Sequence, residues 1–219
     1  MPINNKYIEP LVENEFMHIY CKAVGNNVLF RNDENRIFFL KKYAGFTQGY
    51  FDTYSYILLD NHAHFLIKCA QENGLRTVVN KIPQEKRKLH QKKYLNGQIS
   101  FQQAVELQCK DFFITYAMAY NKLYNRHGAL FINPFRRVTV KDSTHFTKLI
   151  VYQHANVVKH GITKDYENYR WSSYQSLISN KPTMLKREKV LDWFGGVHNF
   201  IKTHRELTAF YYDNPFSIE

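Results

Sequence analysis

The chain has 219 residues, which is long enough for one large domain with a sizeable core. Thirty Lys and Arg residues oppose nineteen Asp and Glu residues, and the resulting net charge of +11 predicts a polyanionic partner, most often nucleic acid. No apolar run approaches membrane-spanning length, and the first residues do not resemble a signal peptide, so we expect no membrane partner. The three cysteines are far apart and form no Cys-x-x-Cys pair, which predicts a reducing cytoplasm and argues against a zinc ribbon or a disulfide framework.

The first elements follow from apolar patterning and capping residues. Residues 15–24, which are rich in β-branched and aromatic side chains, predict a strand. Residues 33–43 predict a helix that Asn32 or Asp33 caps and that ends near Gly45.

Two short apolar runs come next. Residues 57–59 and 65–67 predict buried strands on either side of a tight break at Asp60 and Asn61. Residues 81–93 carry six Lys or Arg and one Glu, which indicates a solvated helix or loop. The alternative is a surface that binds successive phosphates of a nucleic-acid backbone.

The second half of the chain is mostly helical. Residues 109–126 have helical spacing, and residues 129–140 are strand-like, with Pro134 restricting that strand to an edge or a bulge. Further helices are predicted at about 142–160, 186–195 and 197–210. The order of strands and helices predicts an α+β fold: a ferredoxin-like split β-α-β antiparallel sheet with helices on one face and a helical C-terminal extension.

A His-x-His pair marks the most informative position. On a strand, residues two apart point to the same face, so His62 and His64 should lie side by side while Ala63 points the other way. Two imidazoles on a rigid strand are a good start for a divalent metal site. The alternative is two structural histidines, because the chain contains ten histidines and such a pair can arise by chance.

A second set of polar residues lies on the helix predicted at 142–160. Tyr152 and Asn156 are four apart and share a helix face, with Lys148 one turn earlier. A tyrosine that faces a metal site can be a covalent nucleophile, and the Asn156 amide oxygen could complete the metal shell. The alternatives are a packing tyrosine and a helix-surface or capping amide.

Several blocks, in order, resemble the single-tyrosine transposases of the HUH endonuclease class, a family of insertion-sequence transposases, and most resemble their REP-associated tyrosine transposase branch. The blocks are NHAHFLI at 61–67, YN at 120–121 with RHGALF at 126–131 and FR at 135–136, YQHANV at 152–157, and YRWSSY at 169–174. The sequence departs from the family at Asp60 and Val157, where proline is frequent, and at Gln153, where an apolar residue is usual.

The resemblance implies an activity. Tyr152 would attack a phosphate of single-stranded DNA near a hairpin, and a 5′-phosphotyrosine intermediate would allow the cleaved strand to be rejoined. His62, His64 and Asn156 would hold Mg²⁺ or Mn²⁺. Residues 1–178 would form the HUH-type catalytic domain, with a basic insertion near 72–108, and residues 179–219 a helical extension. The protein would be cytoplasmic in a bacterium and associated with the nucleoid, with a monomer favoured over a homodimer.

Basic residues in three places are candidates for contacts with DNA phosphates or, alternatively, for solvated positions. They are Arg136, Arg137 and Lys141 after the fourth strand, Lys148 on the helix of Tyr152, and Lys86, Arg87 and Lys88 in the basic stretch. One competing interpretation is a different metal hydrolase that uses a His-x-His pair. Another is a ferredoxin-like protein that binds nucleic acid without catalysis.

Overall fold

The protein is described from a computed structural model that defines residues 7–213. Its centre is an antiparallel sheet of four strands in the order β2-β3-β1-β4. The strands are β1 (Phe16–Lys22), β2 (Phe51–Leu59), β3 (His62–Cys69) and β4 (Arg136–Thr139). This order is the one that a split β-α-β unit produces, so the predicted fold class is confirmed.

Eight helices surround the sheet within the described part of the chain. They are α1 (Asp33–Thr47), α2 (Glu72–Asn80), α3 (Leu89–Leu95), α4 (Phe101–Leu123), α5 (Ser143–Lys159), α6 (Tyr174–Ile178), α7 (Arg187–Phe194) and α8 (Val197–Asp213). The helices that connect strands, α1 and α4, pack on each other over one face of the sheet, as predicted. Helix α5 follows β4 and packs with α7 and α8 over the opposite face, so the sheet is covered on both sides.

Alternation along β3 divides the interior into two cores. Ala63, Phe65 and Ile67 are buried with side chains of α1 and α4. Leu66, which points the other way, is buried with side chains of α5 and α8. Because residues two apart share a face of a strand, His62 and His64 must lie on the α5 side.

Several element boundaries differ from the predictions. The strands predicted at 57–59 and 65–67 are longer and form β2 and β3. Helix α4 begins at Phe101 rather than near residue 109, because Ser100 and Gln103 form a reciprocal capping box at its N-terminus. The strand predicted at 129–140 is shortened to β4, because Pro134 interrupts the run before it can pair continuously with β1.

Other segments of the chain occupy both edges of the sheet. Along β2, the Leu58 N–H donates to the Trp171 carbonyl at 2.9 Å, and the Ser173 N–H donates to the Tyr56 carbonyl at 2.9 Å. Along β4, Ile8 forms a parallel bridge with Arg137. Both edges are therefore at least partly paired within the chain.

A chain of buried hydrogen bonds joins α5 to α8 and β2. The Phe200 carbonyl can only accept, so His204 donates to it from Nδ1 and accepts at Nε2 from His154 Nδ1. His154 Nε2 then accepts from the Ser173 hydroxyl, which in turn accepts from the Tyr56 N–H. Every proton in this chain is fixed by its neighbours when both imidazoles are neutral.

Burial keeps both of these imidazoles neutral. Desolvation lowers the pKa of His204 to about 4, and it lowers the pKa of His154 well below its usual range, with His204 adding to that effect. In the unfolded chain both would bind a proton below about pH 6.5. The unfolded state therefore takes up more protons as the pH falls, and stability is lost on acidification.

We expect the free energy of unfolding to decrease between about pH 6.5 and pH 4, with His204 accounting for roughly 3 kcal/mol of that loss. His204→Gln keeps an oxygen that can accept from His154 Nδ1 but cannot titrate, so this variant should lose less stability on acidification. Urea denaturation at a series of pH values measures how steeply the free energy of unfolding changes with pH in the wild type and in His204→Gln. Equal slopes for the two proteins would show that His204 is not the titrating group.

Within residues 7–213, no helix combines the length and apolar character needed to cross a membrane. Cys21, Cys69 and Cys109 are all buried thiols. Burial raises the pKa of the Cys21 and Cys69 thiols to about 12, which keeps both protonated at neutral pH.

Candidate active site

A cavity of about 380 Å³ lies between the sheet and α5, on the face to which the His-x-His pair points. Strands β1, β3 and β4 form its floor, and one stripe of α5 forms its wall. Its polar lining residues are Tyr7, His18, Tyr20, Lys22, His62, His64, Arg136, His145, Tyr152, Asn156 and His160. The four residues predicted as nucleophile and metal ligands therefore meet in one cavity.

The two histidines of β3 lie side by side, as predicted. Their ring centroids are 5.0 Å apart, with the rings nearly perpendicular. Pairing with β1 places Tyr20 opposite His64 and Lys22 opposite His62. The strand thus fixes the spacing of both imidazoles through the backbone ladder.

Each imidazole uses Nδ1 to contact a neighbour. His62 Nδ1 lies 2.6 Å from the Asn61 side-chain oxygen, and His64 Nδ1 lies 2.9 Å from His18 Nε2. With Nδ1 engaged, Nε2 is the nitrogen of each ring that can bind a metal. Metal-binding histidines usually have their second ring nitrogen held in this way.

Both histidines are neutral at physiological pH. Burial and, to a smaller extent, the neighbouring His160, Lys22 and Lys159 lower the pKa of His62 to about 3. Burial also lowers the pKa of His64 well below its usual range, with neighbouring His18 and His62 contributing. Neutral imidazole is the form that binds metal ions.

Helix α5 brings Tyr152 and Asn156 to the cavity on successive turns. The Tyr152 ring centroid lies 6.4 Å from that of His64, and the ring is 7% exposed. The Asn156 amide nitrogen donates to the Tyr152 carbonyl at 3.0 Å, while its side-chain oxygen is buried without a hydrogen-bond partner. A buried oxygen without a partner is costly, and a cation in the cavity would satisfy it.

These three side chains are of the types that bind divalent cations. His62 and His64 offer ring nitrogens, and Asn156 offers the oxygen described above. Imidazole and amide ligands suit ions such as Mn²⁺, and Mg²⁺ favours the oxygen and added water. Among the described residues, no three His, Cys, Asp or Glu side chains gather into a group that could hold a metal.

Basic side chains lie beside the phenol and the histidines. The Lys159 amine lies 5.5 Å from the Tyr152 ring centroid, and the His160 ring lies 5.0 Å from that of His62. Arg136 is exposed, lines the cavity and donates to the Tyr20 hydroxyl. Lys148, one turn before Tyr152 on α5, is exposed outside the cavity lining, and Lys159 reaches the ring instead.

Arg137 differs from its neighbour Arg136 because the two side chains point to opposite faces of β4. Arg137 is 3% exposed, contacts Glu106 at 2.7 Å and donates to the Glu9 carbonyl. The structure therefore gives it a role inside the protein in place of the predicted DNA contact. Lys141 is exposed just beyond the end of β4.

The basic stretch lies on the other side of the sheet from the cavity, because α3 packs on α4. Arg87 donates to the carbonyls of Asn80 and Ile82, and Lys88 contacts Asp111 at 2.7 Å. Lys86 is exposed. Two of the three predicted phosphate contacts are thus engaged within the protein, and none of the three lines the cavity.

The sequence analysis missed the contribution of β1 to this site. His18, Tyr20 and Lys22 alternate with the buried Met17, Ile19 and Cys21, so they share a face of the strand. The split β-α-β topology places β1 beside β3. Alternation and topology together could have placed these side chains next to the His-x-His pair.

A second cavity, of about 490 Å³, lies beside α4 on the far side of the loop that contains Ile132 and Pro134. Its walls are mostly apolar, including Phe113, Phe131 and Phe135, and it contains no histidine. The cavity at the histidines is the candidate active site because titratable groups with strongly shifted pKa values converge there.

No protein-family model and no curated protein sequence matches the chain. Among solved structures, the chain is similar to a REP-associated tyrosine transposase bound to a REP hairpin. The TM-score is 0.51 at 10% sequence identity, over 83% of this chain and 88% of that chain. A likeness at 10% identity shows a shared fold. The predicted resemblance to the REP-associated branch is therefore confirmed for the fold.

Proposed function

We propose that the protein is a tyrosine transposase that cleaves and rejoins single-stranded DNA near hairpins. The observation that carries this proposal is the meeting of Tyr152, Asn156, His62 and His64 in one cavity of a protein with the fold of a REP-associated tyrosine transposase. A net charge of +11 supports a nucleic-acid partner.

In the proposed reaction, the Tyr152 phenolate oxygen attacks the phosphorus of a scissile phosphodiester. The bond to the 3′ oxygen breaks, which leaves a 5′-phosphotyrosine and a 3′ oxygen that takes up a proton. A 3′ hydroxyl from another strand can later attack the phosphotyrosine and release the phenol, so rejoining needs no ATP. The positive charge of Lys159 beside the ring would stabilise the phenolate.

His62, His64 and Asn156 would hold Mg²⁺ or Mn²⁺ in this proposal. The bound ion would polarise the scissile phosphate and orient it. Arg136 and Lys22, which line the same cavity, would bind the phosphates on either side. In this assignment Lys141, Lys148 and Lys86 would serve as outer contacts to the DNA backbone.

Residues 1–178 would act as the catalytic domain, with residues 179–219 as its helical extension. Helix α8 of that extension packs on α5, the helix that carries Tyr152, so it would support the nucleophile from behind. We expect a monomer in solution. A non-catalytic DNA-binding protein of the same fold is the competing proposal, and the experiments below separate the two.

Tyr152→Phe should bind hairpin DNA as the wild type does and form no covalent adduct, because it lacks the attacking oxygen. The matched control is Tyr20→Phe, which removes the hydroxyl of another tyrosine in the same cavity. A denaturing gel with labelled DNA detects the adduct. A covalent band for Tyr152→Phe, together with its loss in Tyr20→Phe, would show that Tyr20 on β1 is the nucleophile instead.

Cleavage should require Mg²⁺ or Mn²⁺ and stop when a chelator is added. His62→Ala and His64→Ala should abolish it while keeping most DNA binding, because phosphate contacts and not the ion supply most of the affinity. Asn156→Ala should be milder, because water can replace a neutral amide ligand. Full cleavage by the His62→Ala/His64→Ala protein in chelator would mean that the histidines are structural.

Lys159→Gln should slow single-turnover adduct formation roughly tenfold or more, because it removes the positive charge that favours the phenolate form of Tyr152. Lys148→Gln removes the same charge from an exposed position on the same helix and should leave that rate nearly unchanged. Rapid-quench measurements at saturating DNA compare the two. Equal rates for the two variants would show that Lys159 has no specific role in forming the phenolate.

A further inference from the structure

His18 is the strongest candidate for an additional role in the site. It lies on β1, on the cavity side, and its Nε2 is 2.9 Å from Nδ1 of His64. The two rings are within 16° of parallel, with centroids 5.1 Å apart. Tyr20, two residues along the same strand, stacks on His64 at 5.3 Å. His64 is therefore oriented by two side chains of the neighbouring strand.

A hydrogen bond between two ring nitrogens needs one donor and one acceptor. If His64 Nδ1 donates, His64 Nε2 carries a lone pair and can bind a metal. If His18 Nε2 donates, the proton of neutral His64 lies on Nε2 and blocks that position. The direction of this single hydrogen bond thus decides whether His64 can serve as a ligand.

The other histidine of the pair, His62, has a tautomer that its partner fixes. His62 Nδ1 contacts the side-chain oxygen of Asn61, which can only accept, so His62 donates from Nδ1 and presents Nε2. If both histidines bind one ion through Nε2, as in the proposed function, His64 must also donate from Nδ1. His18 Nε2 must then accept the hydrogen bond from His64 Nδ1, as the Asn61 oxygen accepts the one from His62 Nδ1.

We propose that His18 is a positioning residue, which accepts a hydrogen bond from His64 Nδ1 and so fixes both the ring orientation and the tautomer in which His64 Nε2 binds the divalent ion. This inference rests on the proposed function, since it concerns the same metal site. His18 itself does not touch the ion. Partners of this kind typically change metal affinity by 10- to 100-fold when they are removed.

Two variants of His18 separate positioning from packing. His18→Phe keeps a ring of similar size but cannot accept a hydrogen bond. His18→Gln loses the ring but keeps an oxygen that can accept from His64 Nδ1. If only packing mattered, Phe would be the better replacement, whereas the positioning role requires that Gln be better.

The tautomer of His64 can be read without metal or DNA. Long-range ¹H–¹⁵N spectra of the imidazoles should show a proton on His64 Nδ1 in the wild type and in His18→Gln, and a shift toward Nε2 in His18→Phe. A wild-type protein with the proton on His64 Nε2 would overturn the inference. Thermal unfolding of each variant confirms that it is folded before its spectrum is compared.

Binding of Mn²⁺, followed by calorimetry or electron paramagnetic resonance, provides the second readout. We expect His18→Phe to weaken it by 10- to 100-fold and His18→Gln to restore most of it. Unchanged affinity in His18→Phe would overturn the positioning role. A wild type that binds no Mn²⁺ but shows the expected tautomer would instead contradict the proposed metal site, so the two failures are distinguishable.

Discussion

Burial of the sheet on both faces is the constraint on which the rest of this structure depends. Alternation along β3 sends Ala63, Phe65 and Ile67 into one core and leaves His62 and His64 facing α5. Polar side chains on a covered face need partners, since a buried polar group without one costs about 1–3 kcal/mol. The cavity gathers such groups in one place, where they contact each other or can bind a ligand.

The position of α5 is fixed by polar contacts as well as by apolar packing. Ser55 on β2 donates to the Gln153 side chain, next to Tyr152 in sequence. On the following residue, His154 joins the hydrogen-bond chain that reaches Ser173 and α8. Directional bonds of this kind specify the rotation of a helix more sharply than apolar contacts do. They hold the face of α5 that carries Tyr152 and Asn156 toward the sheet.

Gln153 and Asp60, where the sequence departs from the pattern that it resembles, both have polar partners in the structure. Ser55 donates a hydrogen bond to the Gln153 side chain. The Asp60 carboxylate contacts the guanidinium of Arg36 on α1. Each partner is distant in sequence, so the sequence pattern alone does not reveal the contact.

The sequence predicted the sheet, the His-x-His geometry and the shared face of Tyr152 and Asn156, because these depend on spacing within one element. It did not predict which cation reaches the phenol. Lys148, four residues before Tyr152, and Lys159, seven residues after it, both lie near the same face of α5, and helical spacing alone does not say which amine lies over the ring. Arg136 and Arg137 show the same limit, since adjacent strand residues have opposite surroundings and the sequence does not say which face β4 turns to the cavity.

The paired edges of the sheet affect how this protein can meet other molecules. An open edge strand displays unsatisfied N–H and C=O groups and invites β-augmentation by another chain. Here the segment at Trp171 and Ser173 occupies part of the β2 edge, and Ile8 bridges to β4. A strand from a second molecule would have to displace these segments first. Recognition of partners, and self-association if it occurs, is thereby directed to side chains on helices and loops, and templated aggregation through the sheet is disfavoured.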